Sequence, residues 1–240
     1  MADFIEGKRP VIEALRTGVP IKSILMADNV QRDGLIEDIL RKAKRAGATV
    51  EMVPRKVLDG KSDRGSHQGV MAKAAPFPYV GIGDVIDAAG KSAEQHDGRA
   101  LVIILDHITD AGNLGAVSRS AEAVGACGIV IPNKRSAHVE ASTYKSSAGA
   151  IAHVPVAQVS NLVQTMSRLK EEGFWIAGAT EHAKDLIWKS NLKGKIALVM
   201  GNEQEGISRL VMLPIEGEVA SLNVAQAATA CMYEWLRQNQ

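Results

Sequence analysis

The 240-residue chain has only two cysteines, Cys127 and Cys231. Two thiols make neither a structural zinc site nor a disulfide framework. With no secretory signature at the start, they read as reduced thiols of a cytoplasmic protein. Aromatic residues are scarce, three each of Phe, Tyr and Trp. That argues against a surface built to read single-stranded bases by stacking. The formal net charge is only +1, so nothing points to polyanion binding over the whole surface. Apolar runs such as Leu101–Leu105 are too short to cross a bilayer. The six histidines show no metal-ligand spacing, and no metal is expected. The Gly-rich fingerprints of dinucleotide and P-loop sites are absent, as is the G-x-S-x-G elbow of α/β-hydrolases.

What is present is an α/β pattern in two parts. Residues 1–75 hold 14 Lys+Arg and 10 Asp+Glu, a surplus of +4, whereas the remainder carries −3. The first part alternates a helix over 10–16, a strand over 21–26, a helix over 34–46 and strands over 49–53 and 69–74. Arg41, Lys42, Lys44 and Arg45 lie on the outer face of its second helix. Residues 76–98 are rich in Pro and Gly and read as a linker with one short helix near 84–89. From residue 99 to 240, near-continuous apolar strands alternate with helices, as in a parallel sheet covered on both faces. The expected strands are 100–105, 128–131, 154–159, 174–177 and 196–200, followed by a final helix over 223–237.

Ligands of such sheets sit beyond the carboxyl ends of the strands. Three stretches therefore take priority. After the 100–105 strand comes Asn113-Leu-Gly115-Ala-Val-Ser-Arg119, where Asn113 suits a helix cap and Gly115 permits close backbone approach. After the 196–200 strand comes Gly201-Asn-Glu203-Gln-Glu-Gly206. Last are Leu213-Pro214 and Ser221-Leu222-Asn223-Val224, at the start of the final helix. Each alone is compatible with an ordinary turn or cap. All three in this order are a much rarer coincidence.

With these motifs, and with Lys145-Ser-Ser-Ala-Gly149-Ala150, Gly7-Lys-Arg-Pro-Val11 and His67-Gln-Gly69, nearly the whole chain resembles one family. It is similar to the SpoU/TrmH RNA ribose 2′-O-methyltransferases, and within them to the bacterial 23S rRNA guanosine type. The resemblance implies an α/β fold with a C-terminal α/β-knot (SPOUT, deep trefoil knot) and a smaller N-terminal L30e-like RNA-binding domain, whose basic face of Arg41, Lys42, Lys44 and Arg45 is then either an RNA contact or an ordinary solvated face. It implies S-adenosyl-L-methionine as cofactor, a homodimer, RNA as partner, and no membrane or metal. Gly178, Ala179, Thr180, Gly201, Leu213 and Leu222 would line the cofactor pocket. Arg119 would be the central catalytic residue, with Asn113, Glu203, Ser221 and Asn223 around it. Its role is either the base or, since a guanidinium is a poor proton acceptor near neutrality, the group that orients ribose and phosphate and stabilises negative charge. A tRNA ribose methylase and a non-catalytic RNA-binding assembly module are the alternatives. Met232 and Trp235 on the last helix are candidate dimer contacts, with core packing as the alternative. Between Gly206 and Pro214 only seven residues remain, fewer than the helix plus strand of the family pattern.

Overall fold

The structure is a computed structural model that describes residues 4–62, 65–201 and 206–240. Its first unit is a mixed four-stranded sheet in the order β1 (Phe4–Glu6), β4 (Val70–Ala74), β2 (Ile21–Ala27), β3 (Thr49–Val53). Helices α1 (Lys8–Arg16), α2 (Gly34–Ala46) and the single turn α3 (Arg55–Asp59) connect these strands. The ends of α2 are written locally. The Asp33 carboxylate accepts the Ile36 N–H at 3.0 Å, and Gly47 stops the helix in the left-handed region at φ 68°. Between the caps Ile36, Ile39 and Ala43 are buried at helical spacing. On the outer face Asp38 pairs with both Arg41 and Lys42, so part of that basic face is neutralised within the helix.

Residues 76–98 do more than link. Helix α4 spans Ile82–Gln95 and buries Val85 and Ala89 on the second sheet. The contact is tight: a Cβ on Gly128 would lie 2.8 Å from the Val85 methyls. Gly83 and Gly90 mimic helix breakers, but Ile82, Val85, Ile86 and Ala89 supply an apolar stripe whose burial outweighs the propensity cost of two glycines, roughly 1 kcal/mol each. The preceding extended stretch is pinned too. Phe77 and Tyr79 meet edge to face at 4.9 Å, and the Tyr79 hydroxyl oxygen accepts the Val139 N–H at 2.7 Å.

The second unit is a six-stranded, wholly parallel sheet in the order β10 (Arg209–Val211), β8 (Trp175–Ala179), β9 (Lys195–Gly201), β5 (Ala100–Asp106), β6 (Gly128–Pro132), β7 (Val156–Val159). Side-chain alternation along β5 divides the core. Leu101, Ile103 and Leu105 face α5 (Ala111–Ala123), α6 (Ala141–Ser146) and α8 (Val224–Gln238), whereas Ala100, Val102 and Ile104 face α4 and α7 (Leu162–Glu171). The first of these clusters continues into the N-terminal unit through Val11 and Ala14, beside Tyr144 and Ile151.

The short Gly206–Pro214 stretch supplies only the strand β10. Val211 O accepts from Thr180 N–H, and Met212 bonds residues 185 and 187, so this strand lies between the end of β8 and the loop that follows it. One expectation is corrected. Met232 and Trp235 are 0% and 4% exposed within a single chain, because helical spacing turns them onto the sheet; they belong to the core, and Tyr233 is the aromatic residue that α8 exposes. Both cysteines are free and buried. No helix among the described residues is long and apolar enough to cross a membrane, and no His/Cys/Asp/Glu group among them is arranged to hold a metal.

Candidate active site

The chain order reverses between β5 and β9, which lie side by side at the middle of the sheet, and the carboxyl ends there open a crevice. Strand β9 ends on Gly201 with φ 115°, and a Cβ there would lie 2.1 Å from the Asp106 carbonyl oxygen. Only glycine fits that ending. Beside it is a cavity of about 630 Å³, within the range of small-molecule sites. One wall is the end of β8 and its loop (Ala179, Thr180, Glu181, His182); the other is Leu213, Ile215, Ser221 and Leu222, leading to Val224 and Ala227 of α8.

Five of the six expected cofactor residues line this cavity: Ala179, Thr180, Gly201, Leu213 and Leu222. Gly178 does not. Its missing side chain leaves room for Ile207 and Leu210, which would lie 2.8 and 3.1 Å from a Cβ, so it lets β10 and the chain before it pack on β8. Ser221 lines the cavity, and Asn223 stands between two residues that do. Glu203 lies outside the described residues.

Asn223 caps α8, its Oδ1 accepting the Ala225 N–H at 2.9 Å, while its Nδ2 donates to Asn113 Oδ1 at 3.0 Å. This bond joins the first and third motifs, which are 110 residues apart. Asn113 is not itself the helix cap. Asp110 takes that place, accepting the Asn113 N–H at 2.7 Å, which leaves the Asn113 side chain to reach α8. Ser120 and Thr229 tie the same two helices again at 2.6 Å.

Arg119 is not with these residues. Six positions beyond Asn113 it is about 9 Å along the helix and on another face. It is exposed and lines a second groove with the end of α1 and the turn after α6. Among the described residues it makes no hydrogen bond or ion pair. At the end of β5 the buried Asp106 carboxylate lies 2.5 Å from Nδ1 of His107, whose φ of 56° is left-handed. Reading from sequence overlooked this pair, as it did Glu181, His182 and Ile215. The rule of strand carboxyl ends, applied to the loop after β8, would have found the first two of those three.

Residues 100–233 match the model of the SpoU rRNA methylase family. The chain belongs to that family. A second model, RNA 2′-O ribose methyltransferase substrate binding, matches residues 4–80 of this SpoU-family chain. A putative TrmH family tRNA/rRNA methyltransferase of Bacillus subtilis, YacO, is 38% identical over 243 residues, covering 98% of this chain and 95% of that protein. A Staphylococcus aureus protein of the same description is also 38% identical, over 97% and 95%. The fold matches the SpoU methyltransferase AviRb of Streptomyces viridochromogenes, solved with AdoMet, at TM-score 0.69 and 23% identity, over 99% of this chain and 90% of that one. An AdoMet-bound rRNA methyltransferase of Sinorhizobium meliloti aligns at TM-score 0.64 and 24% identity, over 98% and 86%.

Two glycines in the motifs of this SpoU-family chain have packing reasons. A Cβ on Gly115 would fall 1.9 Å from Ser146 Oγ and 2.5 Å from Thr143 O, so it lets α5 and α6 touch. A Cβ on Gly149, at φ 91°, would fall 2.7 Å from Thr17 O, so it seats the end of α1 on the turn after α6.

Proposed function

We propose that this SpoU-family chain transfers a methyl group from S-adenosyl-L-methionine to a ribose 2′-hydroxyl of RNA. The observation that carries the reading is the cavity at the ends of β8 and β9, joined through the Asn113–Asn223 bond to the helix that bears Arg119. The cavity fits the cofactor chemically. Leu213, Ile215, Leu222 and Val224 offer apolar walls for the adenine ring and the methionine chain, and Ala179 and Ala227 leave room between them. Thr180, Ser221 and the backbone beside Gly201 offer hydrogen bonds to the sugar.

The cofactor supplies an activated methyl on a sulfonium, so the protein has to align the hydroxyl, favour its deprotonation and exclude water. In this account Arg119 holds the ribose and adjacent phosphate and stabilises negative charge on the attacking oxygen. Asn223, fixed by its cap bond, orients Asn113 for contact with the substrate. Ser221 positions the substrate at the mouth of the cavity.

Arg119 and the cavity belong to different surfaces of the chain, which supports a homodimer in which the Arg119 of one protomer serves its partner's cavity. We assign the finer target as a guanosine of 23S rRNA in the cytoplasm, on the motif resemblance, with tRNA as the alternative. The knotted passage is part of the same reading. It is supported by the way residues 209–212 lie between β8 and residues 185–187. Titration calorimetry with S-adenosyl-L-methionine tests the cavity. One site per chain is expected, lost on Ala227→Phe with the melting profile unchanged. No heat from the wild type would overturn the assignment.

A further inference from the structure

The second groove is where both units meet. Its volume is about 600 Å³, and it is walled by the end of α1 (Arg16, Thr17), by Arg119 of α5 and by the turn that ends at His153. The fit of Gly149 against the Thr17 carbonyl fixes its shape by packing. Its charge favours an anion. Of its lining side chains Arg16 and Arg119 are basic and only Glu122 is acidic. Glu13 is already held by Arg16, at 2.9 and 2.7 Å from Nε and Nη2. A guanidinium has five N–H donors, so the Arg16 Nη1 group is still free to donate. His153 is exposed and adds a ring N–H. Apart from these groups the lining is glycine, alanine, serine and threonine, with no aromatic ring. Such a lining suits a sugar–phosphate chain.

We propose that this groove carries the RNA backbone beside the target nucleotide, with Arg16 and His153 as positioning residues that guide the strand to Arg119. The inference rests on the RNA-methylation reading and adds where the strand runs. It predicts that the N-terminal unit acts on the reaction through the end of α1 and not only through the basic face of α2.

The test measures binding of transcribed 23S rRNA by the full-length protein across a series of salt concentrations, with cofactor affinity and melting measured in parallel. Ala152→Glu places a carboxylate on an exposed position of the groove floor, and about a tenfold loss of RNA affinity is expected. Arg16→Ala should lower the slope of log K against log salt by about 0.7 to 0.9, the value of one phosphate contact. It should raise KM for RNA and leave kcat within about twofold. Arg16→Lys should restore most of the affinity. Cofactor affinity should not move in any of them, since no substituted residue lines the cofactor cavity. Unchanged RNA affinity and salt slope in Ala152→Glu and Arg16→Ala, with the wild type active, would overturn the groove alone. A simultaneous loss of cofactor binding would overturn it as well. A wild type that methylates neither rRNA nor tRNA would remove the underlying reading and the groove with it.

Discussion

Asn223 uses one amide for two purposes, closing the first turn of α8 and holding Asn113 on α5. Asn223→Ala therefore loses a cap, typically about 1 kcal/mol, and also the link between two motifs. Asn223→Ser should keep much of the cap and lose the link. If the link matters for catalysis, both variants lose methyl transfer while Asn223→Ser keeps more stability; equal activity in Asn223→Ser and wild type would contradict it. Glycines are the residues whose meaning in the sequence was least specific. Gly115, Gly149 and Gly201 all stood in motifs, and close approach was legible at the first. What approaches is protein in each case, namely Ser146, Thr17 and Asp106, which only the tertiary fold brings there. Gly201→Ala should be poorly tolerated, since left-handed strain of about 1–3 kcal/mol adds to a direct overlap with the Asp106 carbonyl. Thermal denaturation would show it, and an unchanged midpoint would refute the geometry. Burial pushes the Cys231 thiol up to about 12, so it stays protonated near pH 8. A thiolate-specific reagent should leave Cys231 unmodified in the native protein and modify it on unfolding.

Among the elements, those with strong local signals were legible. Helix α2 has the expected bounds because an aspartate cap, an apolar stripe and a stop glycine agree. The strands of the parallel sheet fall within about two residues of expectation, since runs buried on both faces carry few polar interruptions. Helix α4 was shortened by its glycines, and β10, with three residues, is too brief to announce itself. At the start of α5 the cap was placed three residues late. Asn and Asp are equal candidates by composition, and only the 2.7 Å bond from the Asn113 N–H singles out Asp110. Asp110→Ala should cost about 1 kcal/mol in chemical denaturation, whereas Asn113→Ala should affect activity more than stability. The reverse order would put the cap back on Asn113.

For the molecule as a whole, the split of charge into +4 and −3 parts suggested two units, and the family models match residues 4–80 and 100–233 separately. The core nonetheless runs from Val11 and Ala14 to Tyr144 and Ile151, and Phe77 and Tyr79 fasten the stretch between the units. A single cooperative unfolding transition is therefore expected by calorimetry; two separated transitions would show the units to be energetically independent. The separation of Arg119 from the cavity was only half legible: the six-residue spacing from Asn113 puts it on another face of a helix, but which face meets the cavity is decided by the packing of α5 against α6 and α8. Scarce aromatics agree with a reaction at the sugar, where phosphate and hydroxyl contacts matter more than stacking.

The central claim is that Arg119 and the β8–β9 cavity together carry methyl transfer to ribose. Its most direct test is transfer of labelled methyl from S-adenosyl-L-methionine to ribosomal RNA by wild type and Arg119→Ala, with the label then located in the nucleotides. The wild type should place it on a 2′-oxygen, at a linkage that resists alkaline cleavage, and Arg119→Ala should fall at least about a hundredfold while still binding the cofactor. Label on a base, or full transfer by Arg119→Ala, would contradict the account.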